Sequence, residues 1–278
     1  MLRNWYAQQK SRMTEAGIES AGFELDLLLA QFADISRERR LLCPDTGLDD
    51  PVRQRLDGLI TRRLQGEPLQ YLLGQWEFFG RSFSVGPGVL IPRADTEILV
   101  EQALSVLEKI PSPKIADLCA GSGCIGITVA CERPDAAVSL VELSEQAAVW
   151  CRKNIDALAP QCCLLQADVL NSTAGLEDLD AVLSNPPYIP TKDLSGLQKE
   201  VQNEPFMALD GDTDGLRFYR GITGLWKNRI RPGGWMIYEI GFDQAEEVSR
   251  ILAEHGFKKV RTIKDYGGND RVVLGQKQ

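Results

Sequence analysis

Lys114-Ile115-Ala116-Asp117-Leu118-Cys119-Ala120-Gly121-Ser122-Gly123-Cys124-Ile125-Gly126-Ile127-Thr128-Val129-Ala130 reads as strand, glycine turn and helix start in one stretch. A G-x-G-x-x-G pattern signals nucleotide binding in that context and in few others. Glycines permit a tight turn and close backbone approach to a ligand. Gly121, Ser122, Gly123 and Gly126 are therefore candidate cofactor contacts. Asp117, inside the strand and just before the turn, is placed to anchor the loop or a charged ligand. An acid at the end of the next strand is expected to hold ribose hydroxyls. Ala137–Val141 supplies that strand and Glu142 the acid, with Leu143 beside it. A third strand, Cys162–Ala167, ends at Asp168-Val169, where an acid can face an adenine amino group.

Outward from this core, strands are expected near 114–118, 137–142, 162–167, 179–184, 234–240, 257–263 and 271–276. Their alternation with helical segments argues for a mostly parallel sheet. The last two are joined only by Asp265–Asp270, which predicts an antiparallel pair. Seven strands ending that way form the Rossmann-like α/β sheet of class I methyltransferases. Upstream, helical periodicity runs over Leu2–Ala16, Phe23–Phe32 and Val52–Leu64. Trp76–Val85 reads as a β-hairpin turning near Gly80. The expected division is an N-terminal helical domain (1–72), a hairpin linker (73–92) and a catalytic domain (93–278).

The chemistry is concentrated in Asn185-Pro186-Pro187-Tyr188, directly after the buried run Asp180-Ala181-Val182-Leu183-Ser184. Ligands of open α/β sheets bind outside the carboxyl ends of the strands. Consecutive prolines contribute no N–H and fix φ near −65°, so their carbonyls stay free and directed. The Asn side chain adds an amide oxygen. Together they suit a planar NH2 group, with two N–H donors held and the Tyr188 ring over the flat face. The target is an amide or an exocyclic amine. The glycine turn alone also fits a dinucleotide-binding dehydrogenase. Asp117 and the Asn185 cluster have no task in hydride transfer, and both fit a methyltransferase using S-adenosylmethionine.

Composition agrees. The chain has 278 residues, 44% apolar, with net charge −8 and a single histidine, His255. A zinc site or a histidine-based triad is not expected, and no metal is called for. The seven cysteines include no C-x-x-C pair; Cys119, Cys124, Cys131 and Cys163 fall in apolar runs and read as small hydrophobes. No apolar run reaches the ~18 residues of a membrane span. Met1–Tyr6 lacks the apolar core of a secretory signal. A cytoplasmic monomer without membrane partner is the expectation.

Beyond the two motifs, the chain resembles the HemK/PrmC family of protein-(glutamine-N5) methyltransferases. Similar residues include Glu67-Pro68-Leu69-Gln70-Tyr71-Leu72-Leu73-Gly74, Phe78-Phe79, Ile91-Pro92-Arg93-Ala94-Asp95-Thr96-Glu97 and the Asp117 segment. They continue through Asn185–Pro190, Glu204-Pro205, Ala208-Leu209, Asp214-Gly215-Leu216 and Gly268-Asn269-Asp270-Arg271. Glu142 stands where the family more often has Asp, and Ala167-Asp168 where Gly-Asp is common. The resemblance implies methyl transfer from S-adenosylmethionine to the glutamine amide of the Gly-Gly-Gln motif in class-1 peptide-chain release factors. Asn185 Oδ1 and the Pro186 carbonyl are the expected acceptors for the amide N–H groups, with Asn185 also bordering the cofactor. The N-terminal helices are expected to recognise the release factor.

Several assignments stay open at this level. Phe78 and Phe79 fit either the hairpin core or the pocket wall. Arg93–Glu97 fits either helix capping, with Asp95 as N-cap of Ile98–Leu107, or a contact to substrate or cofactor. Glu204-Pro205 and Asp214-Gly215 either order the loop after Tyr188 or face solvent. The rival function is an N6-adenine or other exocyclic-amine nucleic-acid methyltransferase, which would stack Tyr188 on a flipped base. Nucleic-acid affinity comes mostly from neutralised phosphates. Residues 1–72 carry ten basic and eleven acidic side chains, so nearly all the negative charge falls on the rest. An acidic catalytic domain favours a protein substrate and no stable nucleic acid. A non-catalytic cofactor-binding module is the third reading, and the intact Asn185 cluster argues against it.

Overall fold

A computed structural model describes all residues, 1–278. The chain divides into two compact units, Met1–Gly74 with Lys199–Asn203, and Gln75–Gln198 with Glu204–Gln278.

The first unit is helical: α1 (Leu2–Glu15), α2 (Ala21–Ala33), α3 (Arg37–Leu42), α4 (Asp50–Leu64) and α5 (Leu69–Leu73). Pro51 sits in the first turn of α4, where its missing N–H is not needed. Gly74, at φ +74°, ends α5 in the left-handed conformation that favours glycine. Leu2, Trp5 and Met13 of α1, Leu25, Leu28 and Leu29 of α2, and Leu56 and Ile60 of α4 are buried. Arg63 is also buried, and its guanidinium forks onto the Glu24 carboxylate at 2.7 and 3.1 Å. A third bond runs from Arg63 Nη1 to Glu200 at 2.9 Å, and Asn203 Nδ2 donates to the Gly66 carbonyl at 3.1 Å. Through these bonds the short helix α9 (Lys199–Gln202) joins this unit, far in sequence from its other helices.

The second unit opens with the hairpin β1 (Gln75–Phe78) and β2 (Arg81–Ser84). Phe79 and Gly80 both have positive φ, the pattern of a two-residue turn matched to strand twist. After a 3₁₀ turn, Ala94–Thr96, come α6 (Glu97–Leu107), β3 (Lys114–Leu118), α7 (Cys124–Glu132) and β4 (Ala137–Glu142). They are followed by α8 (Glu145–Leu158), β5 (Cys163–Gln166), β6 (Leu179–Ser184), α10 (Phe206–Leu209) and α11 (Arg217–Trp226). The chain closes with β7 (Ile230–Glu239), α12 (Ala245–Glu254), β8 (Phe257–Lys264) and β9 (Asp270–Lys277).

Seven strands form one sheet in the order β5-β4-β3-β6-β7-β9-β8. The first five run parallel, and β9 pairs antiparallel with both β7 and β8. This is the expected Rossmann-like α/β sheet. Helices α6, α7 and α8 cover one face through Leu99, Ile127 and Cys151. The other face is covered by α11 and α12 through Tyr219, Trp226, Val248 and Leu252. Strand order reverses at β3, which has β4 on one side and β6 on the other. Loops leaving β3, β4 and β6 therefore diverge around a crevice at the carboxyl ends, the position where such sheets bind ligands.

Local differences have physical causes. β5 is an edge strand, so it is shorter than expected and leaves Cys163 exposed instead of filling the core. β7 starts early, at Ile230, because Ile230 pairs with Leu179 before a bulge resets the register at Ala181–Trp235.

Candidate active site

A cleft of about 920 Å³, open mouth included, lies at the carboxyl ends of β3, β4, β5 and β6. Its walls are the turn Cys119–Ser122, Glu142–Ser144 after β4, Ala167–Val169 after β5, and Asn185 with Pro187 after β6. Leu90–Arg93, Thr96, Cys124, Pro205, Met207, Ala208 and Phe218 are among the other residues that line it. Leu143 and Val169 are both wall residues.

At one end, the acids hold the turns that surround them. Glu142 Oε2 accepts from Gly121 N at 2.8 Å and Oε1 from Ser144 N at 2.7 Å. Burial pushes the Glu142 carboxyl up, and the N–H groups of Ser144, Gly121 and Leu143 work against it. Each oxygen keeps a lone pair toward the cleft, enough to accept from a diol. Asp168 is arranged similarly, accepting from Leu170 N at 2.9 Å and Asn171 Nδ2 at 2.6 Å. Asp117 lies beneath the turn, fully buried and outside the wall. Its Oδ2 accepts from Gly126 N at 2.8 Å, while Oδ1 is buried without a partner. Burial raises its pKa to about 7, against the Gly126 hydrogen bond and with help from nearby Glu142. Gly121 and Gly123 take φ +56° and +81°, and Gly126 has no room for a Cβ, which would meet Asp117 at 2.9 Å. Gly121 and Ser122 face the cleft, whereas Gly123 and Gly126 shape the turn from behind. Cys119 and Cys124 line the wall and also pack into the core as small hydrophobes, Cys124 in the cluster on one sheet face and Cys119 against that on the other. Burial pushes both thiols up, Cys124 to about 12, so neither is a thiolate nucleophile.

At the other end Asn185 and Pro187 line the cleft, whereas Pro186 and Tyr188, expected there as well, lie outside its lining, Tyr188 packed against the core. Asn185 Nδ2 donates to Thr96 Oγ1 at 3.4 Å, and no protein group donates to Asn185 Oδ1 or to the Pro186 carbonyl. The Tyr188 carbonyl, by contrast, takes a bond from Gln244 Nε2 at 2.9 Å. Gln244 Oε1 in turn accepts from Gly241 N at 3.0 Å, so this buried amide is used at both ends. A Cβ on Gly215 would sit 2.4 Å from the Tyr188 oxygen, and one on Gly211 2.8 Å from its backbone. Two close-packed glycines and one amide thus clamp the loop from behind. Burial raises the Tyr188 phenol pKa, so the ring is neutral.

Three open assignments resolve here. Phe78 is hairpin core, meeting Phe83 edge-on at 6.0 Å, and neither Phe78 nor Phe79 reaches the cleft. Glu204 is buried: it accepts from Ile91 N at 3.0 Å and pairs with Arg93, tying the loop after Tyr188 to the cleft wall. Asp95 is not the N-cap of α6. It lies within the 3₁₀ turn and pairs with Arg271 at 3.3 Å, because a partner on β9 outcompetes the local backbone. The sequence does not single out Thr96, Arg93, Gln244 or Glu239. Arg93 and Thr96 lie inside the Ile91–Glu97 motif; Gln244 and Glu239 carry no local signal.

Comparison with known proteins is decisive for the family. Residues 4–74 match the PrmC N-terminal domain and residues 95–203 the methyltransferase small domain. The release factor glutamine methyltransferase of Geobacter sulfurreducens is 40% identical over 95% of this chain and 92% of its own. That of Moorella thermoacetica is 38% identical over 100% and 99%, and that of Neisseria gonorrhoeae 39% over 91% and 92%. The chain belongs to the release factor glutamine methyltransferase family. Among solved structures, the hMettl16 catalytic domain in complex with a MAT2A 3'UTR hairpin aligns with TM-score 0.59 at 16% identity, covering 82% of each chain. A T. thermophilus 16S rRNA methyltransferase in complex with AdoMet and guanosine aligns with TM-score 0.53 at 20% identity, covering 73% of this chain and 50% of that one. At those identities the likeness is one of fold. The family assignment rests on the full-length relatives.

Proposed function

We propose that this member of the family transfers a methyl group from S-adenosylmethionine to the side-chain amide of the glutamine in the Gly-Gly-Gln motif of class-1 peptide-chain release factors. The observation that carries the reading is Asn185 in the cleft wall at the end of β6, with no protein donor on its Oδ1 or on the carbonyl of the next residue, Pro186. The residues of the opposite end fit the cofactor. Glu142 offers acceptors to a ribose diol, Asp168 to an adenine amino group, and the Gly121–Ser122 turn allows close approach. Buried Asp117, with one oxygen lacking a partner, adds negative potential under a ligand carrying ammonium and sulfonium charge.

The cofactor supplies an electrophilic methyl on a sulfur that leaves as a neutral thioether. An amide nitrogen is a poor nucleophile because its lone pair is delocalised. Asn185 Oδ1 and Pro186 O each accept one N–H, returning density to nitrogen and aiming it along the line of transfer. Orientation and electrostatics then carry most of the rate. Pro187 borders the amide and excludes water, with Tyr188 packed behind it against the core. The surplus proton leaves once nitrogen has gained carbon, so no strong base is needed before attack.

The first 72 residues are proposed to recognise the release factor, 73–92 to link, and 93–278 to catalyse. No helix is long and apolar enough to cross a membrane. We read the protein as a cytoplasmic monomer that needs no metal and holds no nucleic acid stably. Mass spectrometry of a release factor incubated with the protein and S-adenosylmethionine tests the reading. The expected result is one methyl group on the Gly-Gly-Gln glutamine, absent with Asn185→Ala. Methylation of an RNA or DNA panel instead would move the assignment to exocyclic amines.

A further inference from the structure

We propose that Glu239 is a positioning residue, an acceptor-only carboxylate behind Asn185 that draws the amide NH2 inward and thereby keeps Oδ1 facing the cleft. The inference rests on the reading of Asn185 as the amide acceptor.

The two ends of an Asn side chain have nearly the same shape, so hydrogen-bonding surroundings decide which way it faces. Here the deciding groups are Thr96 and Glu239. Both are buried, each 2% exposed, and Thr96 Oγ1 takes the bond from Asn185 Nδ2. A hydroxyl alone cannot enforce the choice, because it donates as readily as it accepts. The Glu239 carboxyl faces both the Thr96 hydroxyl and the Asn185 amide, and both favour its charged form. When ionised it accepts only. It turns the Thr96 proton toward itself, leaving Thr96 Oγ1 as an acceptor for Asn185 Nδ2. Its Oε2 is buried with no hydrogen-bond partner, so an outward-turned NH2 would leave the carboxylate poorer still. The backbone holds the residue in register, since Tyr219 donates its phenol to the Glu239 carbonyl at 2.9 Å.

Other charged and titratable groups around it come from several elements. Arg271 on β9 favours the carboxylate, and Asp95 in the 3₁₀ turn opposes it. Tyr188, Tyr219 and Cys124 feel its charge and are raised partly by it. Burial dominates and pushes Glu239 up to about 7, with Thr96, Arg271 and Asn185 pulling it down. Protonation makes the carboxyl a possible donor and removes the constraint on the amide. Turnover should therefore fall as pH drops through about 7.

Glu239→Gln keeps the shape and abolishes the acceptor-only character. The expected result is a kcat lower by about 10–100-fold, an unchanged dissociation constant for S-adenosylmethionine, and loss of the acid limb of kcat. Asp117→Asn should retain that limb, which separates the two buried carboxyls. A variant with wild-type kcat and an intact limb overturns the proposal. So does a wild-type rate flat from about pH 6 to about pH 9, whether or not the variant folds. An NMR readout stands apart from any substrate. The Asn185 side-chain NH2 resonance, assigned against Asn185→Ala, should titrate near neutral pH in wild type and not in Glu239→Gln. If release factor is not methylated but this titration appears, the functional reading fails and the positioning role survives. If the resonance does not move, the positioning role fails by itself.

Discussion

The two ends of the cleft solve opposite problems with similar parts. At the β3–β5 end, Glu142 and Asp168 each spend one acceptor site per oxygen on neighbouring backbone and side-chain N–H groups, and the turns they hold form the wall. At the β6 end, the acceptors are left free, and partners brought from the 3₁₀ turn before α6, from β7 and from the N-cap of α12 do the holding from behind. One end is stabilised by residues two to about twenty positions away, the other by residues up to 89 positions away. A loop that must offer unsatisfied acceptors cannot brace itself with them, so its rigidity has to be imported.

The contrast breaks most visibly at Asn185. Asn185→Ala removes one free acceptor and is expected to lower kcat by about 10²–10³-fold, measured by methyl incorporation into a release factor at saturating cofactor. Residual turnover within about tenfold of wild type would mean that the amide is held elsewhere. At the opposite end, Glu142→Gln should weaken cofactor binding by roughly 1.5–3 kcal/mol, or about 10–100-fold in Kd. Calorimetry measures this directly. Because the effect falls on binding, kcat at saturation should change little. Equal losses in kcat at both ends would erase the division of labour.

The same division explains what sequence reading reaches. Strand, glycine turn and helix are consecutive in the chain, so Gly121, Glu142 and Asp168 are recognisable from spacing. The hairpin is equally local, its turn marked by Gly80 between alternating aromatic residues. Asn185–Tyr188 stands out because Pro-Pro after a buried strand is rare. The bracing is not local. Asp95 reads as a helix cap until Arg271, on the last strand, takes its carboxylate. Thr96 and Gln244 look like ordinary helix-start residues, and Glu239 like a strand end. Only the fold shows them converging behind Asn185 and Tyr188. Likewise Glu200 carries no sign that it will pair with Arg63 of the helical unit.

Imported bracing should also be fragile. Gly215 has φ +74° and a Cβ position 2.4 Å from the Tyr188 oxygen. Gly215→Ala is therefore expected to destabilise the fold by roughly 1–3 kcal/mol. It should lower kcat while leaving cofactor affinity unchanged, since the displaced loop belongs to the acceptor end. A matching alanine at Gly74, also left-handed but with open space around it, carries only the conformational penalty and should leave kcat alone. Denaturant unfolding together with methyl transfer separates the two. A kcat loss at Gly74 equal to that at Gly215 would remove the case for a clamp.

The smallest effect concerns what the ends share, a buried carboxyl. Asp117 and Glu239 are both raised to about 7 by burial, from 3.8 and 4.5. A raised acid binds its proton more tightly in the folded chain than in the unfolded one. Between about pH 4 and about pH 7 the native state therefore holds more protons, and stability falls as pH rises through that window, then levels off. Asp117→Asn and Glu239→Gln should each flatten part of the decline in melting temperature. S-adenosylmethionine should flatten mainly the Asp117 share, because its positive charge favours the ionised carboxylate under the glycine turn. Glu239, screened by Thr96 and Asn185, should respond less. Burial also raises Glu142 and Glu204, so part of the slope should remain, but a slope left undiminished by both substitutions would show that neither carboxyl titrates abnormally. A slope that the cofactor flattens equally in both variants would show that the two ends share one field instead of being built separately.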